Sequence, residues 1–209
     1  MKSPALAVTI AGSPSASSVS TRILDHAAAK LVAAGFRTKA IRVRELPASA
    51  VISADRKVPA IAAALECVRG ADVVLVSTPI YKAAYSGILK SFLDLLPQDA
   101  FRDKVVVPIA SGGSAANALA IDYMLRPVLC SLAPREVVSG IYSVDGQATW
   151  SADFGLRLDA QLTGQLQRAL DHIANVVPAW KPSVPPVPRT ERSPDFLGGE
   201  AFWEAAWLA

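Results

Sequence analysis

Two cysteines and two histidines are the only thiols and imidazoles that this 209-residue chain offers to a metal. Cys67 and Cys130 lie far apart and form no CxxC pair. With only His26 and His172 beside them, a zinc or iron–sulfur centre is nearly excluded. The thiols read as two reduced, buried groups of a cytoplasmic protein. Long apolar runs are also missing: charged residues interrupt every stretch well short of the ~18 residues a membrane-spanning helix needs. Nor does either sign of charge dominate. Lys plus Arg number 21 and Asp plus Glu 18, a net charge of +3, too little for a nucleic-acid footprint and the wrong sign for an acidic electron-carrier surface. The start, Lys2 followed by apolar residues 5–11, imitates a leader but sits at the bottom of the length range for one. A first buried strand explains it better.

What is present is 52% hydrophobic residues and a mean hydropathy of +0.33, enough to cover one α/β domain with extras. Residues 6–11 are a β-rich run without alternation, as in a parallel strand covered on both faces. A helix follows with Ile23, Leu24, Ala27, Ala28, Leu31 and Val32 on one stripe, stopped by Gly35. Residues 38–43 predict a second strand. Its Arg37, Lys39, Arg42 and Arg44 read either as phosphate ligands or as the solvated border of an edge strand. Residues 45–58 read as a surface loop, and Pro59 opens a short helix. Further strands are predicted over 73–76, 104–110 and 136–139, and helices over 86–96, 115–132 and 156–177. Five β–α units of this kind give a flavodoxin-like, three-layer doubly wound sheet of order 2-1-3-4-5. The core is thus expected over 1–177. Residues 178–209 form an extension that holds six of the fifteen prolines and ends in an amphipathic stripe of Phe202, Trp203, Ala206 and Trp207.

In such a sheet, ligands bind outside the carboxyl ends of the strands. Three predicted loops meet there. Residues 12–21 carry hydroxyls at 13, 15, 17, 18, 20 and 21 just before a helix N-terminus, which makes an anion site; the alternative is a serine-rich cap. Neither a Walker loop nor a Gly-x-Gly-x-x-Gly occurs, no Gly-x-Ser-x-Gly elbow suggests a hydrolase, and residues 10–12 lack the acids of a receiver domain. His26, beside an acid in a helix, reads as a solvated surface residue. Pro79-Ile80-Tyr81 offers a stiff apolar shelf, and Ser111-Gly112-Gly113-Ser114 lets backbone approach a heterocycle. A phosphate cradle and two ring-binding loops on one edge point to flavin mononucleotide, FMN. Hydride passage within a stacked nicotinamide–flavin pair needs no side-chain acid or base, so no catalytic residue of that kind is expected.

Ala11-Gly12-Ser13-Pro14, the block from Thr78 to Gly87, Leu89-Lys90, Leu93 to Pro97, Ser111-Gly112-Gly113 and Ala120 to Leu129 resemble the NAD(P)H-dependent FMN reductases. Within that family they most resemble the reductase component of two-component alkanesulfonate monooxygenase systems. The resemblance covers residues 5–177. It implies a flavodoxin-like oligomer, commonly a tetramer, that uses NADPH or NADH to reduce FMN. The product would pass to a monooxygenase that releases sulfite from sulfonates. It implies that Ser13, Ser18, Ser20 and Thr21 hold the phosphate, and that Pro79, Ile80, Tyr81, Ser111, Gly112 and Gly113 border the isoalloxazine. Tyr123 matches a residue that the family associates with a π-bulge at the subunit interface and with releasing flavin as a substrate; an ordinary interface aromatic is the alternative. Pro127, unable to donate to the Tyr123 carbonyl, independently favours a widened turn there. One departure is Ser15, where many relatives have Arg.

Two other readings remain at this point. A related enzyme could retain FMN and reduce quinones, azo dyes or metal oxyanions, or the chain could be a flavodoxin-type carrier that does not oxidise NAD(P)H. The proline-rich extension is expected to dock on its own oligomer or on the monooxygenase, since an exposed Phe202-Trp203-Trp207 stripe would favour aggregation.

Overall fold

Leu6–Ala11 forms β1 and is buried along its whole length, because it lies between parallel partners on both sides: β2 (Arg37–Arg42) and β3 (Val73–Tyr81). The chain is seen here as a computed structural model that describes residues 4–179, with side chains through 177. The expected extension, with its Phe202-Trp203-Trp207 stripe, lies outside the described residues. Beyond β3 come β5 (Val105–Gly112) and then two short pieces, β6 (Glu136–Val137) and β7 (Ile141–Val144), both parallel to β5. The β2-β1-β3-β5-β6 path is the doubly wound order expected from the sequence.

The alternation of each strand divides its side chains between two layers. Ala7, Val73, Leu75, Val105 and Val107 pack under α1 (Val19–Ala33) and α6 (Ala160–Ala179). Val8, Ile10, Val74, Val76 and Val106 pack under α3 (Pro59–Arg69), α4 (Gly87–Leu93) and α5 (Arg126–Cys130). Gly35 ends α1 in the left-handed region, at φ +91°. Phe36 N–H then reaches back 3.0 Å to the Leu31 carbonyl, which satisfies one of the last helical acceptors. Pro59 occupies the first turn of α3, as its fixed φ and missing N–H favour.

Several local expectations are corrected. The supposed loop at 45–58 contains α2 (Ala48–Ile52), which buries Ala50 and Val51. The expected strand at 136–139 ends at Val137, and pairing with β5 resumes at Ile141. Residues 138–140 face only two residues of β5, a bulge in which Gly140 passes so close to Ile121 that a Cβ would lie 2.5 Å from its Cγ2. The helix expected over 115–132 is three pieces: a 3₁₀ turn Ala115–Ala118, a π segment Ile121–Leu125, and α5. The last helix begins at Ala160 rather than 156, since the Asp159 carboxylate accepts from Leu162 N–H at 2.7 Å and caps it. Leu156 and Leu158 instead belong to an antiparallel hairpin of β8 (Ala148–Ser151) and β9 (Gly155–Leu158). Cys130 is exposed and Cys67 half-buried, so neither is the buried thiol expected.

The charges of β2 border the sheet. Arg42 pairs with Asp25 at 2.8 Å and Arg44 with Glu45 at 2.7 Å, while Arg37 Nε donates to the Pro4 carbonyl. Three of the four cations are therefore engaged locally.

Candidate functional site

The β1–α1 connection leaves the sheet at Gly12, whose N–H donates to the Ser77 carbonyl at 2.8 Å. Ser13, Ser18, Ser20 and Thr21 are all buried, whereas residues 14–17 are exposed. Ser18 is the residue before the first turn of α1, yet its side chain caps no N–H. Its hydroxyl instead pairs with that of Ser20 at 2.9 Å. A loop built only to cap the helix would have used that oxygen on the helix. No acidic residue stands in the first turn of α1, so the positive end of its dipole is not neutralised there.

Ser77 adds an element that the sequence reading missed. Its side chain is 0% exposed and its hydroxyl has no hydrogen-bond partner. By alternation with Val73 and Leu75 it lies on the face covered by α1. A buried hydroxyl without a partner costs roughly 1–3 kcal/mol, and an acceptor at the α1 N-terminus would relieve that cost.

The two segments expected to border the ring are brought side by side by the sheet itself. Pro79 of β3 is in register with Ser111 of β5, so the apolar shelf and the glycine pair border one edge. Pro79 and Ile80 are buried, and Tyr81 is 51% exposed. Beyond Tyr81 the chain reverses into β4 (Ala84–Tyr85), antiparallel to β3, through Lys82 and Ala83 at φ +51° and +62°. Two successive non-glycine residues in the left-handed region are strained and persist because the turn is held on both sides. Thr78 Oγ1 donates to the Pro79 carbonyl and accepts from Ser86 N–H, each at 2.9 Å. The Ser86 hydroxyl in turn donates to the Gly12 carbonyl. This chain of contacts ties the Pro79–Tyr81 segment to the start of the β1–α1 loop.

The glycine segment is fixed from below. The Tyr142 hydroxyl of β7 donates to the Ser114 carbonyl at 2.7 Å, and the Tyr142 N–H donates to Gln165 Oε1 at 3.1 Å. Burial, with Asp145 nearby, raises the Tyr142 hydroxyl above its ordinary pKa, so it remains a donor at neutral pH. Ile80, Ala110, Ala120, Ile121 and Tyr142 form one small cluster, which connects both ring segments to the π segment. There the Arg126 N–H reaches the Ile121 carbonyl, five residues back. Tyr123, at the middle of the π segment, is 73% exposed, with Leu119 and Met124 also exposed.

The residues therefore fit an FMN on observations of the site itself. A partnerless buried hydroxyl and a buried Ser18–Ser20 pair lie at the anion end, and glycines free of side chains lie at the ring end. His26, expected as a solvated surface residue, is half-buried, and burial, followed by Lys30, lowers its pKa. Neither histidine belongs to the site. A separate cleft of about 360 Å3 lies at the β6/β7 edge, between residues 136–140 and Gln165, Arg168 and His172 of α6. There His172 Nε2 stands 2.9 Å from Glu136 Oε1 without the alignment of a hydrogen bond. That cleft contains none of the candidate site residues. Among the described residues no group of three or more His, Cys, Asp or Glu could hold a metal ion, and no helix is long and apolar enough to cross a membrane.

Comparison with known proteins finds FMN reductases. A family model described as NADPH-dependent FMN reductase matches residues 6–149. An FMN reductase (NADPH) of Pseudomonas putida is 42% identical over 146 residues, covering 70% of this chain and 74% of the relative. One of Escherichia coli is 39% identical over 164 residues, covering 78% and 83%. The apo crystal structure of an NADH:FMN oxidoreductase superposes with a TM-score of 0.78 at 36% identity, covering 86% of this chain and 92% of that one.

Proposed function

We propose that this chain, which belongs to the NADPH-dependent FMN reductase family, reduces FMN with NAD(P)H and releases the reduced flavin to a partner monooxygenase. The observation that carries the reading is the in-register pairing of Pro79 with Ser111. It sets both ring segments side by side, and the pairing of Ala11 with Ser77 brings the start of the hydroxyl-lined loop to the same sheet edge.

When bound, FMN supplies an isoalloxazine that accepts a hydride at N5 from C4 of a nicotinamide stacked on it, with a solvent proton completing the reduction. The chain's own part is to bind and orient. Ser13, Ser18, Ser20 and Thr21 hold the phosphate. Pro79, Ile80 and Tyr81 border one side of the ring, and the backbone of Ser111, Gly112 and Gly113 meets its heteroatoms. Tyr142 keeps that backbone in place. No side chain acts as acid or base in hydride transfer.

Release as a product is supported by the exposed Tyr123 on a π segment that touches the ring cluster through Ile121. We assign that segment to an interface between copies of a homotetramer, in which Tyr123 packs against its counterpart and favours flavin exchange. A cytoplasmic, sulfonate-desulfonating system is the setting this reading favours. Flavin content tests release. Protein purified without added flavin, then gel-filtered, should be nearly colourless, whereas a yellow protein that keeps FMN stoichiometrically would mean a prosthetic flavin and a quinone or azo acceptor.

A further inference from the structure

The phosphate subsite has a charge problem that its own loop does not solve. A phosphate monoester carries close to two negative charges near neutral pH, but no charged residue occurs from Ser3 to Thr21. Hydroxyls and a helix N-terminus worth roughly half a positive charge are a weak counterpart for a dianion that is leaving water. The first cation in the sequence after the loop is Arg22, in the opening turns of α1. Side chains of a helix lean toward its N-terminus, which directs Arg22 to the end where the buried hydroxyls lie.

Arg22 differs from the arginines held in ion pairs. Arg42, Arg44, Arg69, Arg102 and Arg126 each pair with a carboxylate. Arg22 has no carboxylate partner among the described residues. Its guanidinium instead lies 4.0 Å from the centroid of the Trp150 ring. Trp150 belongs to β8 and is 53% exposed, so burial does not account for a tryptophan there. The hairpin brings it to α1: Ala148, Leu156 and Leu158 pack against the cluster that contains Ile23, Leu24 and Ala27. A cation over an indole face is held without being neutralised.

We propose that Arg22 is the cation of the FMN phosphate subsite and that Trp150 is its positioning residue. The β8–β9 hairpin holds the guanidinium on the shoulder of the α1 N-terminus, where it donates to phosphate oxygens. The hairpin thereby selects FMN over riboflavin, the same ring without a phosphate. This rests on the FMN reading of the site.

The test is the dissociation constant of FMN and of riboflavin, measured by quenching of flavin fluorescence without NAD(P)H, for Arg22→Gln, Arg22→Lys, Trp150→Leu and Ser20→Ala. Melting temperature checks that each variant is folded. Arg22→Gln should weaken FMN about tenfold or more while riboflavin changes less than about twofold. It should also flatten the dependence of FMN binding on ionic strength. Arg22→Lys should recover part of the loss, and Trp150→Leu should weaken FMN about threefold with little effect on riboflavin. If Ser20→Ala discriminates FMN from riboflavin but Arg22→Gln does not, the role of Arg22 is overturned and the phosphate reading stands. If neither variant discriminates, the phosphate reading falls and this proposal falls with it.

Discussion

The Tyr142 hydroxyl occupies the space a side chain on Gly112 would need: a Cβ there would lie 2.5 Å from it. The same hydroxyl donates to the Ser114 carbonyl at 2.7 Å. Two functions of one oxygen, excluding a side chain and anchoring a turn, shape the backbone proposed to meet the flavin ring. Gly112→Ala should weaken FMN and riboflavin alike, by about tenfold, since it disturbs the ring end and not the phosphate. Tyr142→Phe should weaken both about threefold, and in that background Gly112→Ala should do less harm because the obstructing oxygen is gone. A double-mutant cycle by fluorescence titration checks this, and strictly additive effects would remove the link.

Ser77 gives a prediction with opposite signs in two measurements. Its hydroxyl is buried without a partner, so Ser77→Ala should leave the flavin-free melting temperature unchanged or raise it. The same variant should weaken FMN binding several-fold. A lower melting temperature together with unaltered FMN affinity would place Ser77 outside the site.

Tyr123 stands in the π segment and is exposed. Deleting it should restore regular winding, since π bulges arise from one extra residue in a turn. The variant should purify yellow, with retained FMN and slower turnover. A colourless deletion variant that reduces free FMN at the normal rate would end the assignment of Tyr123 to flavin exchange.

Lys104 lies at the opposite end of the sheet, and its Nζ donates to the carbonyls of Arg69 and Ala71, both at 2.9 Å. Burial pulls its ammonium below the ordinary value of 10.5, with Asp72 and Asp103 opposing the shift. The folded value is the lower one, so between the two values the unfolded chain binds more protons and stability contributed by this group rises with pH. The wild type should therefore gain on Lys104→Met in thermal melts as pH rises from about 8 to about 10. A gap that moves the other way contradicts the burial of a charged amine.

Much of this was legible in the chain. The unbroken run 6–11, the cluster of hydroxyls before a helix, and Pro59 and Gly35 at helix ends are local signals, and each appears where the sequence puts it. Less local features were hidden. Trp150, Leu156 and Leu158 lie in a hairpin, but Leu158, four residues before Leu162, also continues the helical spacing of α6, so periodicity alone extended that helix too far. Gly140 passes so close to Ile121, nineteen residues earlier, that a side chain there would not fit. The Ser86–Gly12 tie, the unpartnered Ser77 and the Tyr142 anchor are relations between strands and loops far apart in sequence, and no spacing rule encodes them.

The central claim is that this sheet edge binds FMN and lets NAD(P)H reduce it as a diffusible substrate. Steady-state oxidation of NADPH and of NADH, followed at 340 nm while free FMN is titrated, tests it most directly. The account predicts negligible oxidation without added flavin and saturable turnover as FMN rises, with Ser20→Ala raising KM for FMN about tenfold while riboflavin is used as before. Nicotinamide oxidation independent of added FMN, or equal losses for FMN and riboflavin in Ser20→Ala, would contradict it.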